Sequence, residues 1–262
     1  MGGLTHTNGD INCCKWFQAV AAWVQFEVDL ILFSEMQPSE ATSDTPDAPY
    51  ILEYNAEPKR MPGKGTGAAF DRSFLESSTK LYIPDAPKQF GFWIIHLPST
   101  SIIVGAWYGP VNSNDRTIVA CIAYWVAWSK ALTHAKQLYR DARIIAGGDA
   151  NVILGTLHPD KKQDKLATSF EKYILSTHDL EIANTACIRR THKVHAIDLL
   201  VHSRSITVTD FEIHDADKCR CGQPYCGPIA GSDHFFVTAT IGITRPIDCN
   251  FEPRWAWTKA ID

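Results

Sequence analysis

Short apolar runs, each closed by a polar or turn-forming residue, recur along this chain and set its expected elements. Leu4 to Thr7 is a short strand candidate running into Asn8-Gly9. From Cys14 to Phe26, Trp16, Phe17, Val20, Trp23 and Val24 recur at helical spacing, which predicts an amphipathic helix. Val28 to Phe33 reads as a buried strand ending at Ser34-Glu35, and the Pro- and Ser-rich stretch from Pro38 to Pro49 as a loop. Short strands are expected at Tyr50 to Tyr54, Gly67 to Phe70 and Lys80 to Ile83. Phe92 to Leu97 and Ser101 to Tyr108 predict a hairpin around Pro98-Ser99-Thr100. A long helix follows from about Arg116 to Tyr139, with Ile118, Ile122, Trp125 and Leu132 on its inner face. Arg143 to Ala146 is a strand opening into Gly147-Gly148-Asp149-Ala150-Asn151, and a further helix is expected from Lys165 to Thr177. Strand signals return at Ala196 to Val201, at Ser205 to Phe211 and after His234. Alternating helices and hairpins with no dividing linker predict one α/β domain of two packed sheets with outer helices.

Composition narrows the class. The 262 residues are 45% hydrophobic and 21% charged, ordinary for a globular chain with a sizeable core. A formal net charge of -4 excludes an overall basic field for gripping nucleic acid, so such contact would rest on local patches. The N-terminus shows no signal-peptide pattern, and the most apolar window, Ala19 to Phe33, is broken by Gln25, Glu27 and Asp29. A nuclear or cytoplasmic protein, neither secreted nor membrane-bound, is expected. The eight cysteines are accordingly read as reduced thiols.

The candidate chemistry sits where apolar runs end: Asn8, Glu35, Tyr108, Asp149 with Asn151, and Asp198 with Asp233-His234. Phosphodiester hydrolysis needs a divalent cation on hard oxygen ligands, an activated water and donors for the crowded phosphate. Glu35, Asn8 and Asp233 supply oxygens suited to Mg²⁺. Asp198 would orient His234, and Asn151 and Tyr108 would donate to phosphate oxygens.

These residues resemble a family. Thr-Asn-Gly at Asn8, Phe-Ser-Glu at Glu35, Trp-Tyr-Gly-Pro at Tyr108, Gly-Gly-Asp-Ala-Asn at Asp149, Ala-Ile-Asp-Leu-Leu at Asp198 and Gly-Ser-Asp-His at His234 are similar, in order, to the endonuclease/exonuclease/phosphatase superfamily. The short form resembles the apurinic-type endonuclease domain of non-LTR retrotransposons. The resemblance implies the DNase I-like fold, a four-layer α/β/β/α sandwich of two packed mixed sheets flanked by helices. It implies a Mg²⁺-dependent (or Mn²⁺-dependent) endonuclease that nicks DNA and leaves a 3′-hydroxyl. Glu35 would be the principal metal ligand, supported by Asn8 and Asp233. His234, paired with Asp198, would activate water or stabilise the phosphate. Asp149 and Asn151 would position the nucleophile, Tyr108 would contact the phosphate, and Thr191 would match the threonine ahead of the Ile-Asp strand. Residues 1–245 would form the domain. Residues 246–262, with Pro253-Arg254-Trp255-Ala256-Trp257, would lead toward a reverse transcriptase in a longer parent chain. The chain departs from the pattern at His6 and Val111, where the family carries asparagine.

Other readings stand beside this one. Cys219, Cys221 and Cys226, perhaps with His214, invite a zinc site, but their spacing favours a reduced thiol cluster on a loop. Lys59, Arg60 and Lys64, with Arg189, Arg190 and Lys193, are either solvated surface or phosphate contacts flanking the site. The same fold also serves phosphatases and phosphodiesterases acting on small-molecule or lipid phosphates. A degenerate domain that binds without cutting is a third reading, which His6 and the acidic charge favour and the full set of polar strand ends opposes.

Overall fold

The computed structural model describes residues 28–36, 50–55, 65–72, 77–84, 86–87, 90–111, 117–161, 163, 165–186, 190–192, 195–214, 234 and 236–243. Four of the expected apolar runs assemble, with two further short strands, into a six-stranded sheet. Its strands are β4 (Ser78–Lys80), β5 (Gly91–Leu97), β6 (Thr100–Tyr108), β7 (Arg143–Asp149), β8 (Leu180–Ile182) and β9 (Asp198–Ser203), in the order β4-β5-β6-β7-β9-β8. The strand expected at Lys80 to Ile83 is replaced by Ser78–Lys80, and residues 81–83 follow as irregular chain. β5 and β6 form the expected hairpin, Leu97 opposite Thr100, so Pro98-Ser99 alone makes the turn. Only β6 and β7 run parallel, and that pairing needs a long crossover. Helix α1 (Ile118–Leu138) provides it.

Thr117 starts α1 by accepting a hydrogen bond from the Ala120 N–H at 3.3 Å. The helix buries Cys121, Trp125, Trp128, Leu132 and Ala135, a stripe at helical spacing, against the sheet. Ile118 and Ile122, expected on this face, lie at its margin, because the bulk of Trp125 and Trp128 fills the centre. Trp107 of β6 meets Trp125, Trp128 and Phe170 edge-to-face, with ring centroids 5.9, 5.2 and 5.7 Å apart. Such pairs add about 0.5–1.5 kcal/mol each beyond burial. Phe170 closes α2 (Lys165–Phe170), which runs on as a π-helical turn over Glu171–Ser176, so the expected second helix forms with a widened C-terminal half.

The other face of the six-stranded sheet carries a second sheet layer. Strands β1 (Leu30–Met36), β2 (Tyr50–Asn55) and β3 (Gly65–Asp71) form one ribbon in the order β1-β3-β2. Strands β10 (Ile206–His214) and β11 (Phe236–Ile243) form another. Phe70, Trp93, Ile95, Ile102, Val104, Ile145 and Ile206 fill the space between the layers, where the Trp93 indole N–H also donates to Glu53 at 2.7 Å. This is the two-sheet sandwich with helices outside. The expected strand at Leu4 to Thr7 and helix at Cys14 to Phe26 lie outside the described residues, as do residues 246–262. Among the described residues no helix is long and apolar enough to cross a membrane. Cys121 is a buried thiol with its Sγ 3.9 Å from the Val111 carbonyl.

His178, buried at the end of the π-helical turn, shares a 2.8 Å hydrogen bond with the Ser129 hydroxyl of α1. Burial holds its imidazole down at about 4, the Lys136 charge adds to the fall, and the bond to Ser129 opposes it. The unfolded chain binds a proton near the ordinary histidine value while the folded chain does not. Stability is therefore full near neutrality and falls as pH drops through about 6.5 toward 4. The loss is at most about 3 kcal/mol, the free-energy equivalent of that difference. Denaturant melts of the wild type and of His178→Gln at neutral pH and at about pH 5 check this, because the variant should show a shallower fall. Equal slopes would assign the pH dependence to other groups.

Candidate active site

The site is built where β6 and β7 end side by side. In the parallel register Tyr108 lies opposite Asp149. Ser34, on the adjoining edge of the second layer, joins both strands. Its hydroxyl donates to the Trp107 carbonyl and accepts from the Asp149 N–H, both at 2.8 Å. Gly148 makes room for it. At φ 137° a side chain would be strained, and a Cβ would overlap the Trp107 carbonyl oxygen and the Ser34 hydroxyl. The Trp107 indole N–H also donates to the Gly148 carbonyl at 3.0 Å, so the strand end is fixed from the core side.

Beyond Asp149 the chain turns sharply. Asn151 adopts the left-handed conformation, φ 51°, which asparagine tolerates better than most residues. Its backbone N–H donates to Asp149 Oδ1 at 2.9 Å. Its side-chain amide donates to the Gly109 carbonyl at 2.8 Å and to Asp149 Oδ2 at 3.1 Å. Both amide hydrogens are thus committed, and in this arrangement Asn151 orients the Asp149 carboxylate. Gly109 allows the approach, since any Cβ there would strike the Ala150 backbone.

Strand β9 enters antiparallel to β7, and its first residue, Asp198, pairs directly with Asp149. Like charges facing each other across strands are destabilising. The surrounding bonds hold Asp198 in place. The Thr191 hydroxyl, fully buried, accepts from the Ile197 and Asp198 N–H groups at 3.0 Å each. The Asn184 side chain donates to the Asp198 carbonyl and accepts from the Leu200 N–H, both at 2.9 Å.

His234 stands between the two carboxylates. Its Nδ1 lies 3.0 and 2.9 Å from the Asp198 oxygens, and its Nε2 lies 3.9 Å from Asp149 Oδ2. A carboxylate only accepts, so the proton on Nδ1 faces Asp198 and Nε2 faces Asp149. Burial pushes the Asp149 carboxyl up to about 7, Asp198 adds to the rise, and His234 and the Asn151 N–H oppose it. For His234, burial alone would lower the imidazole, but the hydrogen bond and charge of Asp198, with Asp149, hold it above its ordinary value. Asp149 is thus set for proton exchange near neutrality, and His234 holds its proton more tightly than a free imidazole.

Asp149, Asn151, Asp198 and His234 lie together, and Tyr108 ends the strand beside Asp149 with its N–H bound to the Tyr124 hydroxyl at 3.1 Å. Thr191 serves as a backbone clamp. Glu35 follows Ser34 on β1, so its backbone stands beside the site. Asn8, Asp233, His6 and the cysteines 219, 221 and 226 lie outside the described residues. His214 spends Nε2 on the Thr238 hydroxyl at 2.8 Å, across β10 and β11. Among the described residues no group of three or more His, Cys, Asp and Glu is placed to hold a metal ion. The adjacent carboxylates of Asp149 and Asp198 are nevertheless hard oxygen donors whose mutual repulsion a divalent cation would relieve. Ser34, Asn184 and His192 escaped the sequence reading. Only Ser34, a polar residue breaking an apolar run, left a signal.

Sheet layers and strand-end polar set define the class: the chain has the DNase I-like fold of the endonuclease/exonuclease/phosphatase proteins. It is similar to the endonuclease domain of TRAS1, a telomere-specific non-LTR retrotransposon, with TM-score 0.60 and 12% identity over 87% of this chain and 93% of that one. The human Nocturnin catalytic domain with bound sulfate is similar at TM-score 0.58 and 13% identity, over 88% and 86% of the two chains. D. rerio TDP2 complexed with a single-strand DNA product is similar at TM-score 0.57 and 13% identity, over 88% and 92%. No protein-family model and no curated protein sequence matches the chain.

Two outcomes follow from this geometry. Asp149 binds its proton more tightly folded than unfolded, so its charge costs stability at and above neutral pH, and the cost disappears as pH falls from about 7 toward 3.8. Asp149→Asn should raise the melting temperature by several degrees at pH 8 and by little near pH 4. A gain independent of pH would show that charge is not the cause. Ser34→Ala should cost about 1–3 kcal/mol in denaturant melts, because the Asp149 N–H loses its buried partner.

Proposed function

We propose that the chain is a divalent-metal-dependent phosphodiester hydrolase that nicks DNA, leaving a 3′-hydroxyl, and that it derives from a retrotransposon. One observation carries the reading: His234, bonded to Asp198 on one edge, turns its other nitrogen toward the raised-pKa Asp149 at the shared end of β7 and β9. Asp149 takes a proton from the attacking water. Asn151 holds the accepting carboxylate in place. His234, carrying positive charge, sets an N–H against the phosphate oxygens, and Asp198 stabilises that charge. Tyr108 contacts the same phosphate from the neighbouring strand end.

Glu35 would be the principal ligand of Mg²⁺ or Mn²⁺, with Asn8 and Asp233 in support. When bound, the cation supplies charge neutralisation at the phosphate. Two facts favour this set. Glu35 adjoins Ser34, which is bonded to the Asp149 N–H, and Asp233 adjoins His234 in the chain. The DNA reading is supported by similarity to the TRAS1 endonuclease domain and to TDP2 bound to a DNA product. A nuclear or cytoplasmic location, and a reverse transcriptase continuing the parent chain, belong to the same proposal.

The net charge of -4 favours a second reading, a phosphatase or phosphodiesterase on a small-molecule or lipid phosphate, which needs no extended basic surface. One experiment separates the two. Supercoiled plasmid is incubated with the protein and Mg²⁺, with and without chelator, beside Asp233→Ala and His234→Ala. The endonuclease reading expects chelator-sensitive nicking that falls by about 10²-fold or more in either variant. An intact plasmid, with phosphate released from inositol phosphates, would overturn it in favour of the second.

A further inference from the structure

The imidazole of His234 presents a flat face as well as two edges. One edge of that ring is spent on Asp198 and the other points to Asp149, which leaves rotation about the Asp198 bond to be controlled. Two carboxylate oxygens nearly equidistant from Nδ1 define an edge and leave the ring plane free to tilt. A second imidazole lies against that plane. The His192 and His234 rings have centroids 4.6 Å apart and planes inclined by 33°.

The partner ring is itself anchored by backbone. His192 donates its N–H to the His195 carbonyl at 3.0 Å and accepts from the His195 N–H at 2.8 Å, closing a tight turn. The Thr191 N–H also donates to the His195 carbonyl at 3.0 Å, while the Thr191 hydroxyl clamps the Asp198 N–H. His192 further makes an antiparallel bridge with His234. One short segment, Thr191-His192, therefore holds the backbone of Asp198 and covers the face of the histidine that Asp198 orients.

We propose that His192 is a positioning residue for His234: its ring fixes the plane of the His234 imidazole and keeps Nε2 aimed at Asp149. The proposal rests on His234 being the working histidine of the reaction above. Stacking between flat rings depends on shape and area more than on a particular nitrogen, so phenylalanine at 192 should substitute where alanine does not. The His192 ring packs against the His234 ring, so its removal should alter turnover more than substrate binding.

The test combines kinetics with a readout that needs no activity. With plasmid and Mg²⁺, His192→Ala should lower kcat by about tenfold to a hundredfold, the scale of a misplaced catalytic group, with KM within about twofold. His192→Phe should recover most of the loss. In parallel, ¹H–¹³C spectra of the full chain should show the His234 ring resonances shifted and broadened in His192→Ala and sharp again in His192→Phe. Full kcat in His192→Ala, or His234 resonances unmoved by that substitution, would overturn the proposal. If the wild type nicks nothing, the reading of function fails, and the spectra still decide whether His192 sets the His234 ring.

Discussion

The arrangement depends first on a hydroxyl doing the work of a strand. At the end of β7 the Asp149 N–H finds no carbonyl, and Ser34 of the second sheet layer accepts it while donating to Trp107. This bridge ties β1, β6 and β7 together at one point, and the apolar filling between the layers keeps them in register. An unpaired buried N–H costs about 1–3 kcal/mol, so the site's position is fixed by the same satisfaction rule that holds any core. Gly148 follows from it, because a Cβ there would overlap both the Trp107 carbonyl oxygen and the Ser34 hydroxyl.

The second consequence is electrostatic. Pairing Asp149 with Asp198 across two strands places like charges together in a poorly solvated corner. A sequence optimised for stability would avoid this pair, and natural chains keep such conflicts at functional positions. Burial is the larger cause of the rise of Asp149 to about 7, Asp198 adds to it, and His234 opposes it. The electrostatic tension of the site thus traces in part to a single cross-strand pair.

Much of the fold was legible because strand ends are where apolar runs meet polar residues. Gly91–Leu97 and Thr100–Tyr108 are apolar runs broken at Pro98-Ser99, as a buried hairpin must be, and the Trp125, Trp128 and Leu132 stripe announces a helix facing a core. β8 was not legible, since Leu180–Ile182 is too short for a period and pairs only because β9 offers an edge. The convergence of Asp149, Asp198 and His234 was legible from the family-like punctuation. The roles of Ser34 and Asn184 were not, since they rest on hydrogen bonds set by tertiary approach, one of them across 115 residues of chain. His192 stayed hidden for the same reason: ring stacking has no sequence period.

The division of labour around His234 explains why so few residues are needed. Thr191 and Asn184 bind backbone, and by fixing the start of β9 they fix Asp198. Asp198 fixes an edge of His234, the proposed role of His192 is to fix its plane, and Asn151 fixes the opposing carboxylate. Each constraint removes a different degree of freedom, and all are present before any substrate arrives. Ordering costs met during folding are not met again at the transition state. A site of this kind tolerates divergence elsewhere, which accords with 12–13% identity to structures that share its fold.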